Sequence, residues 1–235
     1  MPPKRKIHFF TEIAPTNFFI KALCHGPSGS GKTNLIGTLD PGKALWINPE
    51  GRTMTLSGKQ IHGAHVNTVA EMQDVYEYLL NNEDKGKYEW ICLDSAYDIA
   101  ECALLEEKKA GKNNMLAYGD MANTALQLIR NFRDLPRNIY VTTRTESVQD
   151  DMGCMFHRPA MPGQKLGPNL AYYFDLVLCA RTKTDDEGNV QYRLQTQQDE
   201  SYVAKDCSGS LDKFVKPDLK SIEATMRRKL ENGNV

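Results

Sequence analysis

The sequence predicts a single α/β domain with a mainly parallel sheet flanked by helices and a β-hairpin near its C-terminal end. Three observations predict it. Short apolar runs alternate with segments whose apolar residues recur at helical spacing, as in sheets built from crossover units. Gly26-Pro27-Ser28-Gly29-Ser30-Gly31-Lys32-Thr33 fits the pattern G-x-x-x-x-G-K-[ST] at every fixed position and directly follows one of those runs. Late in the chain, the turn-like Asp185-Asp186-Glu187-Gly188-Asn189 separates two strand-like runs, which reads as a hairpin.

The elements follow in order. A buried strand is predicted at about Phe18–Cys24, where Phe18-Phe19-Ile20 and Ala22-Leu23-Cys24 leave little polar surface. The glycine-rich loop comes next, then a helix to about Thr38, broken by Pro41-Gly42. Ala44-Leu45-Trp46-Ile47 is a second strand ending at Asn48-Pro49-Glu50-Gly51, and His65-Val66 suggests a third. Thr68 with Glu71 forms a capping box for a helix that repeats Val69, Met72, Val75 and Leu79. Trp90-Ile91-Cys92-Leu93 is a buried strand ending in Asp94-Ser95, followed by a helix over about Ala96–Lys109 and a loop at Gly111-Lys112-Asn113-Asn114. Met121, Ala125, Leu128, Phe132 and Leu135 share one face of another helix, stopped by Pro136. Asn138–Thr143, Leu176–Arg181 and Gln191–Gln197 are the remaining strands. From Ser147 to Leu170 the glycines and prolines predict a long irregular stretch, and loops of that length are usually functional or mobile.

Composition narrows the class. A chain of 235 residues, 40% hydrophobic, buries one sizeable core and leaves two full domains cramped. No run approaches the ~18 apolar residues of a membrane span. The basic start Met1-Pro2-Pro3-Lys4-Arg5-Lys6 lacks the apolar segment of a secretory signal, so a cytoplasmic protein is expected. Cys24, Cys92 and Cys179 lie in apolar runs and Cys102, Cys154 and Cys207 are scattered, as in a reduced protein. A net charge of −1 confines any nucleic-acid contact to a local patch. Neither Cys154-x-x-His157 nor His62-x-x-His65 has a second pair of ligands, so zinc is not predicted.

The chemistry concentrates beyond the carboxyl ends of the strands, where open α/β sheets bind ligands. In the glycine-rich loop, successive backbone N–H groups turn inward around a polyphosphate, Lys32 supplies a point charge, and the Thr33 hydroxyl suits Mg²⁺. The following helix aims the positive end of its dipole at the same anion. A bound nucleoside triphosphate, ATP with Mg²⁺, is therefore expected. Asp94 fits the Walker B carboxylate that holds the Mg²⁺ shell, a role compatible with capping the next helix. Glu50 is placed to orient or deprotonate the attacking water, and its turn-like neighbours fit a surface turn equally well. Thr142-Thr143-Arg144-Thr145-Glu146 ends a strand where a γ-phosphate is within sensing reach, though β-branched threonines also simply finish strands.

The order of these features resembles the RecA-type recombinase ATPase core, and more closely the short phage-type P-loop nucleotide-binding proteins, some of them single-strand annealing recombinases. Asn48-Pro49-Glu50-Gly51, Tyr118-Gly119-Asp120 at a helix start, and Ala204-Lys205-Asp206 add to the likeness, which spans roughly Phe18 to Leu211. The resemblance implies a RecA-like fold, ATP hydrolysis assisted by Glu50, nucleotide sensing at Thr143 and Arg144, and DNA contact by loops at Gly111–Ala117 and Ser147–Leu170. It divides the chain into an N-terminal tail or oligomer contact (1–16), an ATPase core (17–211) and a C-terminal helical segment (212–235). It implies single-stranded DNA, further copies of the chain in a ring or filament, and a single-strand-binding protein as partners, and no membrane. The chain departs from the pattern in two places. Arg144 stands where recombinase cores commonly place glutamine, and no paired lysines occur around Gln195–Gln198, leaving Lys205 as a substitute to reach a neighbour's nucleotide. Annealing or accessory ATPase work is thus favoured over strand exchange, with an ATPase switch or assembly factor that does not bind DNA as the alternative. A small-molecule kinase, for which the Ser147–Leu170 loop has too few arginines, stands behind it.

Candidate DNA-binding residues are Phe156, Arg158, Lys165 and Lys112. An aromatic beside cations in a flexible loop suits a single strand, with bases stacking on Phe156 and phosphates meeting Arg158 and Lys165. Asp150 and Asp151 oppose that charge, and a nucleotide-gated lid or an oligomer contact fits the same loop. Phe9-Phe10 suit either a neighbouring subunit or their own domain. A final helix turns Leu219, Ile222, Met226 and Leu230 inward and leaves Arg227, Arg228 and Lys229 on a solvated face.

Overall fold

The computed structural model describes residues 18–149, 153–163 and 166–232. Phe9, Phe10, Asp150, Asp151 and Lys165 lie outside the described residues, as does the 1–16 segment.

Strand β1 (Lys21–His25) leads through the glycine-rich loop into a short helix α1 (Lys32–Ile36). The helix ends two residues earlier than the apolar spacing suggests. Gly37 closes it by donating to the Asn34 carbonyl, and a Cβ there would lie 3.1 Å from Leu56. Strands β2 (Ala44–Asn48) and β3 (His62–His65) follow, then α2 (Val69–Leu80), whose Thr68 cap accepts from the Glu71 N–H at 3.1 Å. Strand β4 (Trp90–Leu93) feeds α3 (Ala96–Lys109), and Asn113 caps α4 (Asn114–Arg133). That cap starts α4 ahead of Tyr118, so Tyr118-Gly119-Asp120 lies within the helix.

The largest departure from expectation comes next. Strand β5 runs from Asn138 to Gln149 and turns back as β6 (Met155–Ala160), so much of the predicted irregular stretch is an antiparallel hairpin. Gly153, at φ 86°, occupies the left-handed region in the connection. Pairing places Glu146 opposite Arg158 and Val148 opposite Phe156, giving cross-strand contacts that the scattered glycines and prolines conceal. A helix α5 (Leu166–Leu170), strands β7 (Leu176–Thr184) and β8 (Val190–Gln195), two-residue strands β9 (Lys205–Asp206) and β10 (Phe214–Val215), and helix α6 (Leu219–Glu231) complete the chain.

The sheet order is β10-β8-β7-β1-β5-β4-β2-β3, with β6 added to β5 and β9 to β7. Pairing is parallel from β7 through β3 and antiparallel at β8 and β10. This is a mostly parallel mixed sheet flanked by helices, with the expected β7–β8 hairpin at one side. Alternation along each strand divides the core between two faces. Leu23, Ile47, Ile91 and Val141 pack under α2, α3 and α4, while Ala22, Trp46, Trp90 and Tyr140 pack with α1 and α6. Leu219, Ile222 and Met226 of α6 are buried in that second face as their spacing predicts. Strand β5 lies between β1 and β4, and so separates the glycine-rich loop from the strand carrying Asp94.

Candidate nucleotide-binding site

At the carboxyl ends of the parallel strands, a cavity of about 610 Å³ is lined by the glycine-rich loop, Glu50, Asp94, Thr143 and Arg144. Gly29 and Gly31 lie at φ 76° and 90°, a backbone only glycine adopts without strain, so the loop's curl follows directly from its sequence. Gly26 is needed for a different reason, since a Cβ there would lie 2.7 Å from the Ala180 carbonyl oxygen of β7. Ser30 steadies the loop by donating its hydroxyl to the Pro27 carbonyl at 2.8 Å.

Lys32 turns its ammonium back over the loop, donating to the Gly26 and Pro27 carbonyls at 2.9 Å each. Burial is the leading influence on it and lowers its pKa, which Asp94 and Glu50 partly offset. A cation half-withdrawn from water with only carbonyl partners is a strong anion site. The Thr33 hydroxyl donates to Asp94 Oδ2 at 2.8 Å, so the two groups predicted to face Mg²⁺ already meet. Thr142 donates to the other carboxylate oxygen, Oδ1. One hydroxyl and one carboxylate beside a phosphate cradle fit a hard cation that keeps most of its ligands as water and phosphate.

Glu50 stands on a turn built by Asn48. The Asn48 side chain accepts from the Gly51 N–H at 3.0 Å and donates to the Arg52 carbonyl at 3.1 Å. Gly51 lies at φ 72°, and a Cβ there would meet His65 at 2.9 Å. The turn reading and the site reading of Glu50 are thus compatible, because the turn is what directs it. Its pKa is raised above the usual carboxylate range, first by burial, then by the Asp98 charge and a hydrogen bond to that same carboxyl group.

Strand alternation separates the two threonines that the sequence presents side by side. Thr142 faces Asp94, whereas the Thr143 hydroxyl donates to the Ala160 carbonyl of β6 at 2.6 Å. The tie to the Asp94 carboxylate therefore belongs to Thr142. Arg144 lines the cavity but leans on α3, 3.3 Å from Asp98, 3.5 Å from Glu101 and 3.8 Å over the Tyr97 ring.

The other predicted residues are dispersed. Phe156 and Arg158 lie on β6, with the Arg158 guanidinium held by Glu146 at 2.7 Å. Lys112 is remote from them, at the α3–α4 link, where Glu107 and Asp120 both pair with its ammonium. Lys205 donates to the Ala171 carbonyl and lines a separate cleft with Phe19, Lys21 and Tyr172. Sequence reasoning missed Asp98 and His25. Asp98 follows Ser95 in an S-x-x-D capping pattern, a signal that was legible. His25 is fully buried behind the loop, with Nδ1 2.8 Å from Thr145 Oγ1 and Nε2 2.7 Å from the Val203 carbonyl. Burial pushes its pKa down to about 4. No local pattern announces it.

Residues 19–208 match the model of an AAA domain family. Among solved structures, a KaiC-like protein from the hyperthermophilic archaeon Pyrococcus horikoshii OT3 is similar at 14% identity and a TM-score of 0.45, over 75% of this chain and 79% of that one. No curated protein sequence matches the chain. Among the described residues, no helix is long and apolar enough to cross a membrane.

Proposed function

The chain belongs to the AAA domain family, and from that premise we propose that it hydrolyses Mg²⁺·ATP and couples its nucleotide state to single-stranded DNA, promoting annealing. The observation that carries this reading is the continuity of β5. One strand runs from Thr143 and Arg144 at the cavity to Val148, which pairs with Phe156 on the hairpin. A change in how Arg144 is held would reach the hairpin along that one continuous strand.

In this mechanism the loop N–H groups and Lys32 hold the phosphates, the ammonium exchanging its two carbonyl partners for phosphate oxygens. Thr33 and Asp94 would hold Mg²⁺, which neutralises phosphate charge when bound. Thr142 fixes the Asp94 carboxylate. Glu50 accepts a proton from the attacking water, and the burial and neighbouring Asp98 carboxyl that raise its pKa make it a stronger base than a free glutamate. Arg144 responds to the γ-phosphate. Copies of the chain would assemble as a ring or filament around the strand, with a single-strand-binding protein as a further partner.

A second reading is favoured by one observation. Arg158 and Lys112, two of the cations expected to meet DNA, already pair with carboxylates. In that case the hairpin contacts protein, and the chain is an ATP-driven switch or assembly factor. Gel shifts of single-stranded DNA with ATP, ADP and no nucleotide, run beside phosphate release with and without DNA, separate the two. ATP-dependent binding and DNA-stimulated release are expected. Phosphate release with no single-strand binding at low salt would establish the switch instead.

A further inference from the structure

Asp98 has no part in phosphate or Mg²⁺ binding as described above, yet three groups of the site converge on it. The Ser95 hydroxyl donates to its Oδ2, and its own backbone N–H points back at that hydroxyl, 3.4 Å away. Its Oδ1 receives Arg144 at 3.3 Å, and the Glu50 carboxyl group faces it from the turn after β2. The Asp98 side chain is 15% exposed against 52% for Arg144, so the carboxylate is the fixed member of the pair and the guanidinium the movable one. Lying in the first turn of the fourteen-residue α3, Asp98 is further steadied by the helix dipole.

Arg144 therefore has two alternative anions. One is the α3 pair Asp98 and Glu101, on which it rests with its face over Tyr97. The other is any γ-phosphate in the cavity that Arg144 itself lines. We propose that Asp98 is a positioning residue that parks Arg144 on α3 and releases it only when a γ-phosphate competes for the guanidinium, making the site discriminate ATP from ADP. This rests on the nucleotide-site reading above and adds to it the residue that sets the threshold. The parked pair opposes ATP binding by the strength of the tie, and ADP, lacking the competing phosphate, leaves it closed.

The test is a double-mutant cycle on nucleotide affinity, using ATPγS and ADP with Mg²⁺ in calorimetry of the full chain. Asp98→Asn keeps the acceptor for Ser95 and removes the charge. A partly exposed ion pair is modest in water, so Asp98→Asn is expected to tighten ATPγS by a factor of about 2 to 5 and leave ADP unchanged. In an Arg144→Ala background the same substitution should have no effect, because nothing remains to be parked. Glu101→Gln, which leaves the Ser95 cap intact, should shift ATPγS in the same direction by less. Equal shifts for both nucleotides, or an Asp98→Asn effect that survives in Arg144→Ala, would overturn the proposal and reduce Asp98 to a helix cap. Absence of any nucleotide binding by the parent protein would instead sink the nucleotide-site reading, and the latch with it.

Discussion

Replacing Glu50 with glutamine separates nucleotide binding from turnover. The amide keeps the shape of the side chain and the Asn48-built turn beneath it, and removes the proposed catalytic feature, a group able to accept a proton. General-base catalysis typically contributes on the order of 10²–10⁴ in rate. Here the carboxyl is a third exposed, with Arg52 only 3.7 Å away, so solvent can stand in for part of its work. A fall of about tenfold to a thousandfold in hydrolysis follows, equal to about 1.4–4 kcal/mol of barrier. Single-turnover phosphate release at saturating ATP measures it, with calorimetry showing ATP affinity within about a factor of two of the parent. The pH dependence adds a second reading. A base with a raised pKa loses its proton late, so the parental rate should climb as pH rises through that pKa, and Glu50→Gln should flatten the climb. Hydrolysis at the parental rate, or an unchanged pH limb, would refute the assignment and leave Glu50 a turn residue.

Other perturbations are equally specific. Lys32→Ala removes the loop's cation and should weaken ATP by about 1.5–3 kcal/mol or more in calorimetry, while Asp94→Asn should erase mainly the difference between titrations with Mg²⁺ and with EDTA. His25 is held neutral, with its pKa lowered from 6.5 to about 4, so unfolding takes up a proton in that window. Its contribution is fully present above pH 6.5 and is lost as pH falls toward 4, on the order of 3 kcal/mol. Denaturant melts across that range should show the slope, and His25→Gln should shed it. On the hairpin, Arg158→Ala should lower the salt slope of single-strand binding by about 0.7, whereas Phe156→Ala should cost about 1–3 kcal/mol with the slope unchanged. Altered ATPase or particle size with flat DNA affinity would assign the hairpin to protein contact.

What the sequence discloses depends on how far apart the interacting residues lie. The glycine-rich loop was legible because its backbone requirements fall within eight consecutive residues, and Asp94 because an apolar run points to it. Capping boxes at Thr68 and Ser95 are local and sit where their spacing puts them. The β5–β6 hairpin was not legible, because β6 owes its extended form to partners on β5, and Pro159 with Gly153 reads as loop until that pairing is known. Thr142 and Thr143 look interchangeable in sequence and are told apart only by the pleat. Arg144 and Asp98, 46 residues apart, and His25 and Thr145, 120 apart, meet only once the parallel sheet is assembled.

The placement of β5 between β1 and β4 also governs when the protein becomes competent during its synthesis. Strand β1 has no parallel partner until β5 arrives, and its first rung pairs Lys21 with Ile139, beside which the Ile20 N–H donates to the Asn138 side chain 118 residues away. At about 5–20 residues per second on the ribosome, the glycine-rich loop waits about 6–24 seconds with its supporting strand unpaired. Thr142, which steadies Asp94, emerges with that same late strand. A nascent chain therefore presents no finished cavity at the glycine-rich loop while its first half is being made, and the proposed nucleotide would stabilise the molecule only after β5 has been inserted.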